Sequence, residues 1–124
     1  MAYEIADDGD LVLAQLAGRE TVEEMIDFLR AVARYGAAHS SFLLWVRASK
    51  PIFQLEQHGL ITYLTALAAS PSHKIALLAD TLELHLSHEY FELIARQHAL
   101  NVRSFRSAGD ALRWLREKPS PDRV

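Results

Sequence analysis

The sequence predicts an α/β fold, a mixed five-stranded sheet flanked by four helices in the order ββαβαβαβα. Three observations carry that reading. From Lys74 to Leu115 the chain runs as apolar strand, amphipathic helix, strand and short capped helix. Near the start an Asp8-Gly9 pair separates two apolar runs, and both residue types tolerate the positive φ of a tight hairpin turn. Between these regions Ser41 to Ala48 holds Phe42, Leu43, Leu44, Trp45 and Val46 in succession. That run is too short for a helix and apolar on both alternating faces, the pattern of a central buried strand.

The elements follow in order. Tyr3 to Ala6 and Leu11 to Leu16 form the opening hairpin. Thr21 and Glu24 make a capping box, and Val22, Met25, Ile26, Leu29, Val32 and Ala33 then recur at helical spacing. Acids lead that helix and Arg30 and Arg34 close it, as the helix dipole prefers, with Gly36 as its stop. The crossover to Ser41 is therefore parallel. Pro51 restarts the chain, and Leu60, Ile61, Leu64, Leu67 and Ala68 mark a second helix, regular from Gly59 and ended by Ser70, Pro71 and Ser72. Ile52 to His58 reads as an irregular segment, a candidate lid that exposes Ile52 and Phe53. Lys74 to Ala79 is the fourth strand. The third helix is expected from about Leu84, capped by Thr81 or Ser87, with the alternating Leu82, Leu84 and Leu86 reading as a short extended piece or as its first turn; Phe91, Ile94 and Ala95 point inward, with Tyr90 and Leu93 beside them. Asn101 to Arg106 is the last strand, and Ser107 caps a final helix with Asp110 in its first turn. Residues 1–116 form the single domain, and 117–124, with Pro119 and Pro121, a frayed tail.

Composition narrows the classes of function. With 124 residues, half of them hydrophobic and 23% charged, the chain can bury a core without a covalent or metal staple and stands well away from disorder. It has no cysteine, which removes disulfides, thiolate metal sites and thiol nucleophiles together. The acidic start lacks the basic region of a secretory signal, and the apolar runs fall far short of the ~20 residues of a membrane span, so a cytoplasmic location is expected. A net charge of -3 disfavours nucleic acid, and Arg103, Arg106, Arg113 and Arg116 read as a solvated terminal surface.

No chemistry-bearing motif assembles. Gly9, Gly18, Gly36, Gly59 and Gly109 stand singly, so neither a phosphate loop nor a dinucleotide fingerprint forms, and no serine sits in a nucleophile elbow. His85, His88 and Glu92 share helical spacing, but they match no metal motif and read as a histidine-rich surface helix. No enzyme activity, cofactor or metal is expected.

The element order, the apolar strand Lys74 to Ala79, and Phe105 followed by Ala111, Leu112, Trp114 and Leu115 resemble the SpoIIAA-like proteins of the STAS and SEC14-like fold group. The resemblance spans Tyr3 to Leu115. It implies either protein interaction in regulation, as in anti-sigma factor antagonists, or binding of an apolar ligand between helix and sheet. Those antagonists carry Asp-Ser-Ser-Gly-Leu after the central strand; this chain has Glu56, Gln57, His58, Gly59 and Leu60, so both serines are replaced and the phospho-acceptor hydroxyl is missing. Ser49, several residues earlier, is a weak substitute.

Ligands on open α/β sheets collect beyond the carboxyl ends of the parallel strands. Arg47, Ser49 and Lys50 follow the third strand, and Asp80 and Thr81 the fourth, so a mixed-charge mouth is expected beside Phe53 and His58. The expected activity is a non-enzymatic regulatory interaction module without a phospho-serine switch, with a protein partner docking there. The alternative is SEC14-like carriage of a lipid or other apolar small molecule. Homodimerisation through an exposed strand or helix face fits so short and apolar a chain.

Overall fold

The computed structural model describes residues 2–9, 11–36, 38–51, 54–67 and 73–117, with the side chains of 54–56 excepted. Among these residues nine elements follow in the predicted order: β1 (Ala2–Asp8), β2 (Leu11–Ala17), α1 (Val22–Tyr35), β3 (Ser41–Arg47), α2 (Gln54–Thr65), β4 (Lys74–Ala79), α3 (Leu82–Gln97), β5 (Val102–Phe105) and α4 (Ala108–Arg116). The strands lie in one sheet in sequence order. β1 and β2 are antiparallel, with Asp8 opposite Leu11 and Gly9 opening the turn at φ +66°, while β2 to β5 run parallel.

Strand order and handedness distribute the helices. Each parallel connection advances one strand in the same direction, and right-handed crossovers then place all three connecting helices on one face. There Val12, Phe42, Leu44, Ile75 and Leu77 pack with Phe28 and Leu29 of α1, Leu60 and Leu64 of α2, and Phe91 and Ile94 of α3. The other face carries Leu11, Leu43, Ala76 and Leu78 and, among the described residues, receives only α4, through Ala111 and Leu115. β3 alternates Phe42, Leu44 and Val46 to the first face with Leu43 and Trp45 to the second, as its two-sided apolar pattern predicts.

Local chemistry sets the ends of the elements. Thr21, Thr81 and Ser107 cap α1, α3 and α4, each accepting the backbone N–H three residues on. Glu24 also accepts from the Glu20 N–H at 3.2 Å, which holds the entry to α1. At the far end of α4 the Lys74 ammonium donates to the carbonyls of Trp114 and Glu117, both at 2.8 Å, and so caps the negative end of the helix. Glu92 joins α3 to the sheet edge: its Oε1 accepts from the Ser104 N–H and hydroxyl, and its Oε2 pairs with Arg96.

Three expectations are corrected. α2 begins at Gln54, so the segment expected to be irregular is helical from that residue; Gly59 sits inside the helix on an open, exposed side where its helix cost of about 1 kcal/mol is tolerated. α3 begins at Leu82, because Thr81 rather than a later residue is its cap. Leu93 lies outside, opposite Phe91 and Ala95, with Leu82 and Leu86. The 70–72 breaker, the tail beyond Glu117 and the supposed lid residues Ile52 and Phe53 lie outside the described residues.

Gly36 ends α1 for a steric reason. Its φ of -99° suits any residue, but a Cβ there would stand 2.5 Å from Phe42 Cε1 and 3.1 Å from Val12 Cγ2. Gly36→Ala is therefore expected to lower stability by about 1–3 kcal/mol through overpacking. Denaturant unfolding at unchanged slope measures this, and an unaltered midpoint would show that α1 can shift freely. Trp114, half-buried between the Phe105 ring at 5.7 Å and the Lys74 and Arg103 cations, fastens α4 to the sheet. Trp114→Ala should cost roughly 2–4 kcal/mol, read as a fall in melting temperature; unchanged melting would remove Trp114 from the fold's supports.

Candidate functional site

The strand exits on which the sequence converges are tied to one another. Ser49 Oγ donates to the Arg47 carbonyl at 2.8 Å and accepts from the Arg19 N–H at 3.1 Å. The Lys50 N–H reaches the Arg19 carbonyl, and the Gly18 N–H the Arg47 carbonyl. Asp80 Oδ2 accepts from the N–H of Ala48, which sits in the left-handed region at φ 46°. Such a conformation costs a non-glycine residue roughly 1–2 kcal/mol, and the Asp80 carboxylate offsets part of it. Ser49, Asp80 and Thr81 thus hold the β2, β3 and β4 exits and the start of α3 in register.

The sheet separates the remaining predicted residues. His58 stands exposed on α2, on the three-helix face, with Nε2 3.3 Å from the Tyr90 hydroxyl and the two rings edge to face. Arg47 belongs to the opposite face. Its guanidinium lies 4.7 Å over the Trp45 ring and donates to Gln15 Oε1 at 3.1 Å. Phe53 lies outside the described residues, and the Lys50 side chain is exposed.

Arg47 marks a surface that sequence reasoning did not single out. α4 is nine residues long and covers only part of its face, so among the described residues an apolar groove of about 310 Å³ lies between it and the β1 edge. Leu43 and Leu78 form its buried floor, and Leu13, Trp45, Ala108 and Leu112 its walls, with Glu4 and Gln15 toward the rim. The available signal was the mismatch between a strand apolar on both faces and one short helix left to cover the second.

A second centre is polar and buried. On the three-helix side, at the carboxyl ends of β3 and β4, Arg19, Gln57 and His88 are 3%, 2% and 6% exposed. Gln57 Nε2 donates to Ser87 Oγ at 2.9 Å, and these four residues share a cavity of about 10 Å³, room for a single water molecule. His88 Nδ1 has no hydrogen-bond partner among the described residues. Burial, with the charges of His85 and Arg19, pushes His88 down to about 3, so it is neutral at physiological pH. The histidine expected on the surface is thus a core residue. His88 points inward while Glu92 binds Ser104, and among the described residues no three His, Asp or Glu side chains are grouped to hold a metal ion.

Comparison with known proteins returns no match to a family model, to a curated protein or to a solved structure. Among the described residues no helix is long and apolar enough to cross a membrane.

The buried imidazole sets a pH dependence. In the unfolded chain it takes a proton near pH 6.5, whereas in the folded protein it stays neutral down to about 3. Across that window unfolding binds a proton, so His88 lowers stability by about 1.4 kcal/mol for each unit of falling pH; above 6.5 the effect vanishes. Denaturant titrations of the wild type and His88→Gln at a series of pH values should therefore converge, or cross, as pH falls below 6.5. Parallel stability profiles would mean that His88 charges without penalty.

Proposed function

We propose that the chain is a non-enzymatic, regulatory protein-interaction module that docks an apolar, acid-bearing segment of a partner protein in the groove beside α4. The observation that carries this reading is the Trp45 and Arg47 pair. A half-buried tryptophan in an apolar wall, with a guanidinium held over its ring, is the composition of an interface hot spot. Arg47 is hydrogen-bonded to a neutral amide, and no carboxylate of the described residues lies within salt-bridge distance of it. An acidic side chain beside apolar ones complements the Arg47 side of the groove mouth, as distinct from the Glu4 side.

The order of elements supports placing the chain with the SpoIIAA-like group. Within that reading a phospho-serine switch has no support: Gln57, at one of the two serine positions, is turned into the core, and Ser49 is engaged on both sides of its hydroxyl. A cytoplasmic site of action suits a chain without cysteine. The groove's volume also favours a second reading, because about 300 Å³ is the lower end of small-molecule sites. A small apolar ligand carrying a carboxylate would use the same walls and the same arginine.

Selection of a displayed random-peptide library on the immobilised protein tests the first reading. Peptides with an acid flanked by aromatic or aliphatic residues should be enriched; Trp45→Ala should weaken them at least about tenfold, and Arg47→Glu should turn the preference toward basic peptides. Enriched peptides indifferent to both substitutions would overturn the docking site. Native mass spectrometry of gently purified protein separates the second reading, since an extractable apolar mass lost in Trp45→Ala would replace the peptide with a small ligand.

A further inference from the structure

The two edges of the sheet are finished differently. β5 is four residues long, and its Ser104 N–H is closed by the Glu92 carboxylate, which reaches over from α3 to accept it at 2.6 Å. β1 is seven residues long and pairs with β2 in seven consecutive steps without a bulge. All of it is exposed except Ile5, which is half-buried. Alternate residues of an edge strand turn their N–H and C=O groups outward, and among the described residues no backbone hydrogen bond from outside the hairpin reaches β1. An open edge of this length is a template for one further strand.

We propose that β1 takes an extended, basic segment of a partner protein as a sixth strand of the sheet, one that alternates Lys or Arg with β-branched or aromatic residues. Charge selects this occupant. β1 carries Glu4, Asp7 and Asp8, and no Lys, Arg or His precedes Arg19 in the chain. Asp8 lies 3.4 Å from Arg116 and Asp7 3.8 Å from His39, whereas no salt bridge among the described residues reaches Glu4. A second copy set along this edge brings the same three acids and no base, in either direction and in any register, so like charges oppose self-pairing. The two faces of β1 fix the pattern. Tyr3 and Ile5 turn toward the three helices, with the Tyr3 ring 5.9 Å from that of Phe28, and Tyr3 is still 42% exposed, so the residues set beside them are apolar. Glu4 is on the opposite face, where the added strand supplies its base. The ladder is made by the outer backbone of β1, so this inference does not rest on the groove beside α4.

Fluorescence anisotropy with a labelled peptide of about eight residues, alternating lysine and valine, tests the edge. The peptide should bind the full chain saturably below about 1 mM, and its counterpart with glutamate for lysine should not. Glu4→Lys should weaken binding about fivefold or more while leaving the melting temperature unchanged, because the position is exposed. Two N-methylated peptides read the ladder itself: methylation of one set of alternate residues should abolish binding, and methylation of the other set should preserve it. Hydrogen exchange of the β1 amides should slow at alternate residues in the complex. Absence of saturable binding up to about 1 mM, or equal tolerance of both methylated sets, would overturn the proposal. So would binding that Trp45→Ala abolishes and Glu4→Lys leaves intact, which places the peptide in the groove, or a dimer of the free protein whose alternate β1 amides are already protected, which places a second copy on the edge.

Discussion

β3 must be covered on both faces at once, and most of the architecture follows from how that is done. Phe42, Leu44 and Val46 face one way and Leu43 and Trp45 the other, with β2 and β4 hydrogen-bonded on either side. Right-handed connections deliver α1, α2 and α3 to the first face without further instruction. On the second face the described residues after β5 supply one helix of nine residues. Its hold is concentrated in Ala111, Leu115, the Trp114 and Phe105 rings and the Lys74 cap. The groove is the part of the sheet that so short a helix cannot reach.

The carboxyl ends of the parallel strands show how a surface suited to ligands by topology can be consumed by structure. Ala48 turns in the left-handed region, and the Asp80 carboxylate, the Ser49 hydroxyl and the Arg19 backbone are all engaged in closing the loops around it. Below them Arg19, Gln57 and His88 are buried together. A neutral imidazole without a hydrogen bond on Nδ1 is an expensive core residue, and its cost rises as acid makes protonation of the unfolded chain favourable. Packing at this end leaves a cavity with space for about one water molecule.

Periodicity and end signals made the fold legible. The two-sided apolar run of β3, the Asp-Gly hairpin and the Thr21 and Ser107 caps each act locally, so each could be read from neighbouring residues. The start of α2 before Gly59 was hidden by that glycine and by a polar stretch whose Gln57 turns inward, and the beginning of α3 by three alternating leucines. Those leucines divide between faces, Leu84 into the core and Leu82 and Leu86 outward, a split that spacing alone does not reveal. The site was less legible still. Arg47 was named for its place at a strand exit, but its companions Gln15, Trp45 and Leu112 come from three other stretches of pairing and packing. His88 looked like a surface residue because nothing local announces that Arg19 and Gln57 converge on it.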